Sequence, residues 1–83
     1  MKITFKLFAN LTDYLPLERT YNAVELDVAP TTTIRDLVNR FNLPDKMVHL
    51  VLINGVYIEP PVRPAHVLHE GDVVAIWPPV AGG

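Results

Sequence analysis

The sequence predicts an α+β domain in which a mixed sheet of four to five strands carries one main helix on one face. Three observations lead to this prediction. Alternating segments near the N-terminus are typical of half-buried strands, residues 34–41 repeat apolar side chains with helical spacing, and Asn54-Gly55 separates two β-rich segments. Because a helix with one apolar side must bury that side against another layer, these elements are expected to share one core.

The first two strands are predicted from strict alternation. Apolar side chains occupy every second position of two segments: Ile3, Phe5 and Leu7, and then Val24, Leu26 and Val28. Such a period of two indicates strands with one buried face. The two segments are near enough in sequence to form an antiparallel pair with a long connection.

The helix is predicted from a single apolar stripe, which is formed by Ile34, Leu37, Val38 and Phe41. Thr33 followed by Asp36 resembles a capping box, with Asp in place of the usual Glu. Pro44 is expected to stop the helix, because the residue before a proline avoids the α region.

The second half of the chain completes the sheet. Val48–Ile53 and Val56–Ile58 are predicted to form a hairpin, residues 60–64 a loop or an edge segment, and Val73–Trp77 the last strand. The order strand, strand, helix, strand, short strand, strand is that of the β-grasp, or ubiquitin-like, fold. Residues 1–77 are therefore assigned to one β-grasp domain and residues 78–83 to a C-terminal arm. If the first and last strands are parallel neighbours, the arm leaves from one edge of the sheet.

Composition excludes several classes of function. The 83 residues, 49% of them hydrophobic, suffice for one small core. Seven basic and nine acidic residues are scattered without runs, which argues against nucleic-acid binding. No cysteine is present to form a disulfide, a thiolate metal site or a nucleophile. The N-terminus lacks the apolar region of a signal peptide and no apolar run is long enough to span a membrane, so a soluble cytoplasmic protein is expected.

Gly82 and Gly83 are the most informative residues for function. Glycine is costly to order and offers no side chain to pack, but its slim backbone can thread a narrow channel. Pro78 and Pro79 are expected to stand away from the body as a semi-rigid strut. The six residues of the arm reach at most about 20 Å. The alternative is an ordinary frayed terminus.

The segment from Glu70 to Gly83 resembles the ending of the MoaD/ThiS sulfur-carrier family. The resemblance is closest to the small subunit of molybdopterin synthase, which typically ends in an aromatic residue, Pro-Pro-Val, a small residue and Gly-Gly. Residues 51–55 also resemble the strand and Asn-Gly turn of that family, and residues 33–37 resemble its helix start.

The resemblance implies that the carboxylate of Gly83 is the reacting group. In the family, an E1-like adenylyltransferase activates this carboxylate with ATP and Mg²⁺, and sulfur from a persulfide donor protein displaces AMP to give a thiocarboxylate. The arm then enters an acceptor enzyme, such as the large subunit of molybdopterin synthase or thiazole synthase. The arm consists of Pro78, Pro79, Val80, Ala81 and Gly82 before the reacting glycine. The protein would be a co-substrate without a cofactor of its own, and not an enzyme.

Three alternatives stay open. The same fold and diglycine suit a protein modifier that is joined to lysines through Gly83. A carrier for thiazole and thiamine synthesis is the second alternative: molybdopterin is the favoured product, but thiazole, cysteine or another thio-product stays open. A plain interaction module with an inert tail is the third alternative, because a fold alone does not determine function.

A partner surface is predicted on the sheet face that the helix leaves uncovered. Strand alternation assigns five side chains to that face: Phe8, Leu50, Leu52, Ala75 and Trp77. An exposed apolar patch on a small domain usually marks an interface. The alternatives are that the loop 60–66 covers the patch, or that the register is shifted by one residue.

Catalytic and metal-binding sites are not expected. His66 and His69 have a spacing that could suggest a metal, but no third ligand cluster is near and the site would lie in a loop before a turn, so they are interpreted as surface histidines. Asp13, Glu18 and Arg19 are interpreted as solvated charges. No nucleophile–base pattern or phosphate-binding loop is present.

Overall fold

The computed structural model describes residues 1–79 and shows the predicted mixed sheet with one main helix. The strands lie in the order β2-β1-β5-β3-β4. Their bounds are Lys2–Leu7 for β1, Ala23–Asp27 for β2, Leu50–Ile53 for β3, Val56–Tyr57 for β4 and Val73–Trp77 for β5, and helix α1 spans Ile34–Arg40. The predicted fold class is thus confirmed. No helix of the described part combines the length and the apolar character that crossing a membrane requires.

The strand pairing places the first and last strands side by side. β1 pairs antiparallel with β2 and parallel with β5, with Thr4 opposite Val73 and Leu7 opposite Ile76. β3 lies on the other side of β5 and runs antiparallel to it. Because β1 and β5 are parallel, both end at the same edge of the sheet, which we call the exit edge. Trp77 ends β5 at this edge, and Pro78 and Pro79 follow it there.

Helix α1 begins with the predicted capping box, but its C-terminal end is not set by Pro44 as predicted. Thr33 and Asp36 form a reciprocal capping box, in which the Asp36 carboxylate accepts from Thr33 N–H at 2.9 Å. The helix ends at Arg40, so the restriction that Pro44 imposes on the residue before it is not what ends the helix. Asn42 adopts a left-handed φ of 57°, and Leu43 N–H donates to the Val38 carbonyl at 3.0 Å. This is a Schellman ending, and Leu43 is buried against the core as that motif requires.

The core lies between α1 and one face of the sheet. Alternate strand residues such as Phe5, Val51 and Ile76 are fully buried there beneath Ile34 and Leu37. Phe41, which the sequence predicts as a core residue, is only half-buried, because it is the C-cap of the short helix. Its ring still stacks on Phe5, with a centroid distance of 5.2 Å.

The proline-rich segment forms a 3₁₀ helix, Pro60–Ala65, beside α1. A cavity of about 160 Å³ separates the two and is lined by Ile34, Val38, Pro60 and Arg63 among others. The segment therefore lies on the helix side of the sheet. It does not cover the opposite face, which was one of the alternatives to a partner surface.

Candidate functional site

The five predicted interface residues form one patch on the sheet face opposite α1. Leu50 lies opposite Trp77, and Leu52 lies opposite Ala75. Phe8 follows β1, and its ring stacks on that of Trp77 at a centroid distance of 3.9 Å and an interplanar angle of 10°. None of the five belongs to the core cluster beneath α1. The register is thus the predicted one, and we call this group the sheet-face patch.

The patch is less open than the sequence suggests. Four of its side chains are half-buried, and Ala75 is only 8% exposed. Lys6 flanks Ala75 on the side of β1, and Tyr57 flanks Leu52 on the side of β4. These neighbouring side chains cover the sides of the patch, so a partner would contact the solvent-facing surfaces of Trp77, Phe8 and the two leucines. That these residues bind a partner remains a prediction.

The root of the arm is held firmly at the exit edge. The Trp77 carbonyl accepts from His49 N–H at 3.1 Å, and Phe8 N–H donates to the Ile76 carbonyl at 3.2 Å. Pro78 is buried and Pro79 is exposed. The sequence predicts that both prolines stand clear of the body, but only Pro79 does so. The remaining predicted arm residues, Val80, Ala81, Gly82 and Gly83, lie outside the described residues.

Arg63 supports the arm root from behind, a role that the sequence reasoning missed. Its side chain is among the few buried charged groups, at 8% exposure. Its guanidinium donates to the carbonyls of Ile58 at 2.8 Å, Val48 at 3.3 Å and His49 at 3.0 Å. Because His49 also bonds to Trp77, Arg63 fixes the strand start beside which the arm departs. The only sequence signal is a single arginine within a run of prolines.

The histidines and the scattered acidic residues do not form a metal-binding cluster in the described part of the chain. Residues 1–79 contain no cluster of three or more His, Asp or Glu side chains that could hold a metal ion. His69 is exposed, with Nδ1 4.0 Å from Asp72. Asp72 itself is buried, and its carboxylate accepts from His69 N–H at 2.8 Å and from the Asn54 side-chain amide at 2.9 Å. These bonds join two turns and have a structural role.

Comparison with protein families gives one match. The model of the ThiS family matches residues 6–83, which include the end of β1, all later strands, helix α1 and the diglycine. A comparison with curated proteins gives no match.

Comparison with solved structures gives several matches over nearly the whole chain. SAMP1 from Haloferax volcanii is 26% identical, with a TM-score of 0.67 and 100% of both chains covered. A putative molybdopterin converting factor, subunit 1, from Pyrococcus furiosus is 20% identical, with a TM-score of 0.68 over 95% of this chain and 98% of the other. A protein–protein complex of subunits 1 and 2 of the molybdopterin-converting factor from Helicobacter pylori 26695 matches at 19% identity and a TM-score of 0.59, with 100% of both chains covered. The last two likenesses concern the fold alone, which is the ubiquitin-like β-grasp.

Proposed function

The chain belongs to the ThiS family of small ubiquitin-like sulfur carriers, and on that premise we propose that Gly83 carries sulfur as a C-terminal thiocarboxylate. The carboxylate of Gly83 is ionised at neutral pH and is a poor electrophile until it is activated. An E1-like enzyme would join it to AMP at the expense of ATP, with Mg²⁺ and release of pyrophosphate. The terminal sulfur of a protein persulfide would then attack the acyl carbon and expel AMP. Cleavage of the resulting S–S bond by a second thiol leaves the thiocarboxylate.

The geometry of the exit edge is the observation that best supports the proposal. The arm starts at a point fixed by the His49–Trp77 hydrogen bond and by the buried Pro78, directly beside the sheet-face patch. A partner that docks on the patch would therefore receive the arm in a defined direction. From Pro79 to Gly83 the arm reaches at most about 17 Å. That length suits delivery of the terminus into an active site below the docking surface.

The catalytic groups are assigned to the partners. Within residues 1–79 the two ion pairs are Arg35–Asp45 and His69–Asp72, and neither belongs to a cluster of His, Asp and Glu side chains that could hold a metal ion. The protein would thus act as a co-substrate that contributes the reacting carboxylate and the docking surface. Both ATP and the metal ion would be bound by the adenylating enzyme.

The acceptor we propose is the large subunit of molybdopterin synthase, which places the protein in molybdenum cofactor biosynthesis. The ending Pro78 to Gly83 resembles the small subunit of that enzyme. One structural neighbour is a complex of two subunits of the molybdopterin-converting factor, and its first subunit shares the fold of this chain. Thiazole synthase is the alternative acceptor. The two acceptors are distinguished by adding each of them, with its substrate, to the loaded carrier and identifying the thio-product that forms.

The experiment is an intact-mass measurement. The purified protein is incubated with the adenylating enzyme of its own organism, Mg-ATP and a persulfide donor. We expect a mass increase equal to the exchange of one oxygen for sulfur, located on the C-terminal peptide. A variant lacking Gly83 serves as the control and should release no pyrophosphate. If the full-length protein releases no pyrophosphate either, the proposal is wrong.

A second function, conjugation to lysines through Gly83, is favoured by the likeness to SAMP1, which is small archaeal modifier protein 1 of H. volcanii. The two functions differ in the nucleophile that attacks the adenylate.

Conjugates can be identified after trypsin digestion, but not by a diglycine remnant. Arg63 precedes a proline, which blocks trypsin, so the last cleavable site is Lys46. The remnant on a target lysine would be the whole segment from Met47 to Gly83.

A further inference from the structure

The connection between β1 and β2 lies at the exit edge, next to the arm root. It begins at Phe8, which is bonded to β5, and it ends at Asn22, whose carbonyl accepts from Leu7 N–H at 3.0 Å. Asn22 and Trp77 are thus separated by two strand spacings, or about 10 Å. Any protein that takes in the arm must approach this connection.

The connection carries the most exposed large apolar side chains of residues 1–79. Leu17 is 99% exposed and Tyr21 is 88% exposed. Together with Thr12, Arg19 and Asn22 they line an open groove of about 630 Å³. Large apolar side chains at this exposure gain nothing from the folded domain, and their burial by a partner is favourable.

Tyr21 also holds a backbone conformation that its side chain disfavours. Hydrogen bonds in both directions between Thr20 and Ala23 make Tyr21 and Asn22 the central pair of a tight turn. Tyr21 has a φ of 57°. Glycine normally fills a first turn position with positive φ. Of the other three non-glycine residues of the described part with positive φ, Asn42 and Asn54 are asparagines that suit a helix ending and a hairpin turn, and Ala9 is a small residue that begins the 3₁₀ turn after β1. Neither turn chemistry nor packing accounts for tyrosine at position 21.

Arg19 adds a positive charge to the same groove. One of its Nη1 hydrogens bonds to the Thr12 carbonyl at 3.1 Å, which leaves most of its five N–H donors for another group. No carboxylate of residues 1–79 pairs with it. The groove therefore complements a segment that combines apolar side chains with a carboxylate.

The size of a specific interface calls for this additional surface. Stable protein interfaces use about 20–30 residues on each side. The sheet-face patch has five residues and the arm has six, so a partner must contact more of the domain. The β1–β2 connection adjoins both at the exit edge.

We propose that the β1–β2 connection is a second docking surface for the enzyme that adenylates Gly83. Leu17 and Tyr21 are its apolar anchors, and Arg19 pairs with a carboxylate of that enzyme. This inference rests on the proposed function, since it requires an adenylating partner. It adds the prediction that this partner presents an acidic, apolar segment beside its active-site entrance.

The test compares Tyr21→Gly with Val56→Thr. Glycine is compatible with positive φ, so the first change should keep or raise the melting temperature while it removes the ring. Its dissociation constant for the adenylating enzyme should rise about tenfold, as for an interface anchor. Val56 is also exposed, at 64%, but it lies on the edge strand β4 at the far end of the sheet. Its substitution should leave the affinity unchanged.

Arg19→Gln tests the charge separately. The affinity should fall at low salt, and the difference from wild type should shrink as salt is added, because exposed charges are screened. Arg19→Lys should retain most of the affinity. Equal losses for both variants at all salt concentrations would contradict the ion pair.

The outcomes separate this inference from the proposed function. If wild type is adenylated and a folded Tyr21→Gly variant binds equally well, the second docking surface is wrong and the carrier function stands. If Tyr21→Gly does not fold, Tyr21→Asn, which also tolerates positive φ, decides in the same way. If wild type is not adenylated at all, the proposed function fails and this inference fails with it.

Discussion

Replacement of Trp77 by alanine separates docking from folding at the arm root. Trp77 is half-buried, lies outside the core cluster and stacks on Phe8 at 3.9 Å. Its backbone bond to His49 is independent of the side chain. The substitution therefore removes the largest side chain of the sheet-face patch and leaves the strand pairing intact.

The expected loss of stability is moderate. Full burial of a tryptophan would make its truncation cost about 3–5 kcal/mol, but this side chain faces no helix and leaves no closed cavity. The lost stacking with Phe8 contributes about 0.5–1.5 kcal/mol in addition to the free energy of burying the ring surface. A total of about 2 kcal/mol corresponds to a fall in melting temperature of about 8–16 °C for a domain of this size.

The expected loss of affinity does not follow from unfolding. A domain with about 5 kcal/mol of stability keeps about 3 kcal/mol after the change, so more than about 99% of it stays folded. An aromatic anchor at the centre of an interface costs about 2 kcal/mol or more when truncated, which is about a 30-fold rise in the dissociation constant. Binding should therefore weaken under conditions in which the variant is fully folded.

The assay measures melting temperature and affinity for the adenylating and acceptor enzymes on the same preparations. Phe41→Ala is the matched control, because Phe41 is also half-buried and also stacks on another ring, but on the helix side. It should lower the melting temperature by a similar amount and leave both affinities unchanged. If Trp77→Ala binds both partners as wild type does, the sheet-face patch is not a docking surface. If it unfolds outright, Trp77 is a core residue.

Three further predictions concern the arm and the turns. Deletion of Gly83, or extension beyond it, should abolish adenylation in a pyrophosphate-release assay with a melting temperature within about 2 °C of wild type, since a terminal residue makes few contacts. A large drop in melting temperature would show that the residue packs on the body. Asn42→Ala should destabilise the protein by about 1–2 kcal/mol in urea unfolding and Asn42→Gly should not, because only the alanine is strained at a φ of 57°. Asp72→Ala should cost about 1–3 kcal/mol in the same assay, since two donors lose their acceptor. Equal stability of both Asn42 variants, or a neutral Asp72 variant, would contradict these interpretations.

Most of the fold could be predicted because the local signals and the tertiary structure agree. Alternation in β1 and β2 and the Asn54-Gly55 turn, with φ values of 52° and 81°, act over a few residues and are visible in sequence. The sequence assigns the end of the helix to Pro44, which is a strong signal, whereas Asn42 acts two residues earlier. Asparagine is a weaker signal for a helix ending than glycine, so the proline outweighs it. The prediction that Phe41 is a core residue fails for the same reason, since it assumed a longer helix.

The candidate site was predictable only where strand alternation determines it. The five residues of the sheet-face patch follow from the period of two once the register is known. The support from Arg63 depends on contacts with carbonyls five to fifteen residues away in sequence, which no local pattern encodes. The strain at Tyr21 was likewise invisible, because a tyrosine after a threonine is not a turn signal.

The sheet divides the domain into two faces that differ in burial. Residues such as Phe5, Val51 and Ile76 are fully buried beneath α1 and supply the stability. Phe8, Trp77 and the leucines of the sheet-face patch lie outside that core, so we expect their exposed apolar surface to serve binding. Because β5 contributes alternate residues to both faces and is followed directly by Pro78 and Pro79, the core that holds β5 also fixes the root of the arm beside the sheet-face patch. A carrier that must present one carboxylate to several enzymes would need this coupling, since each partner has to find the terminus at the same place relative to the docking surface.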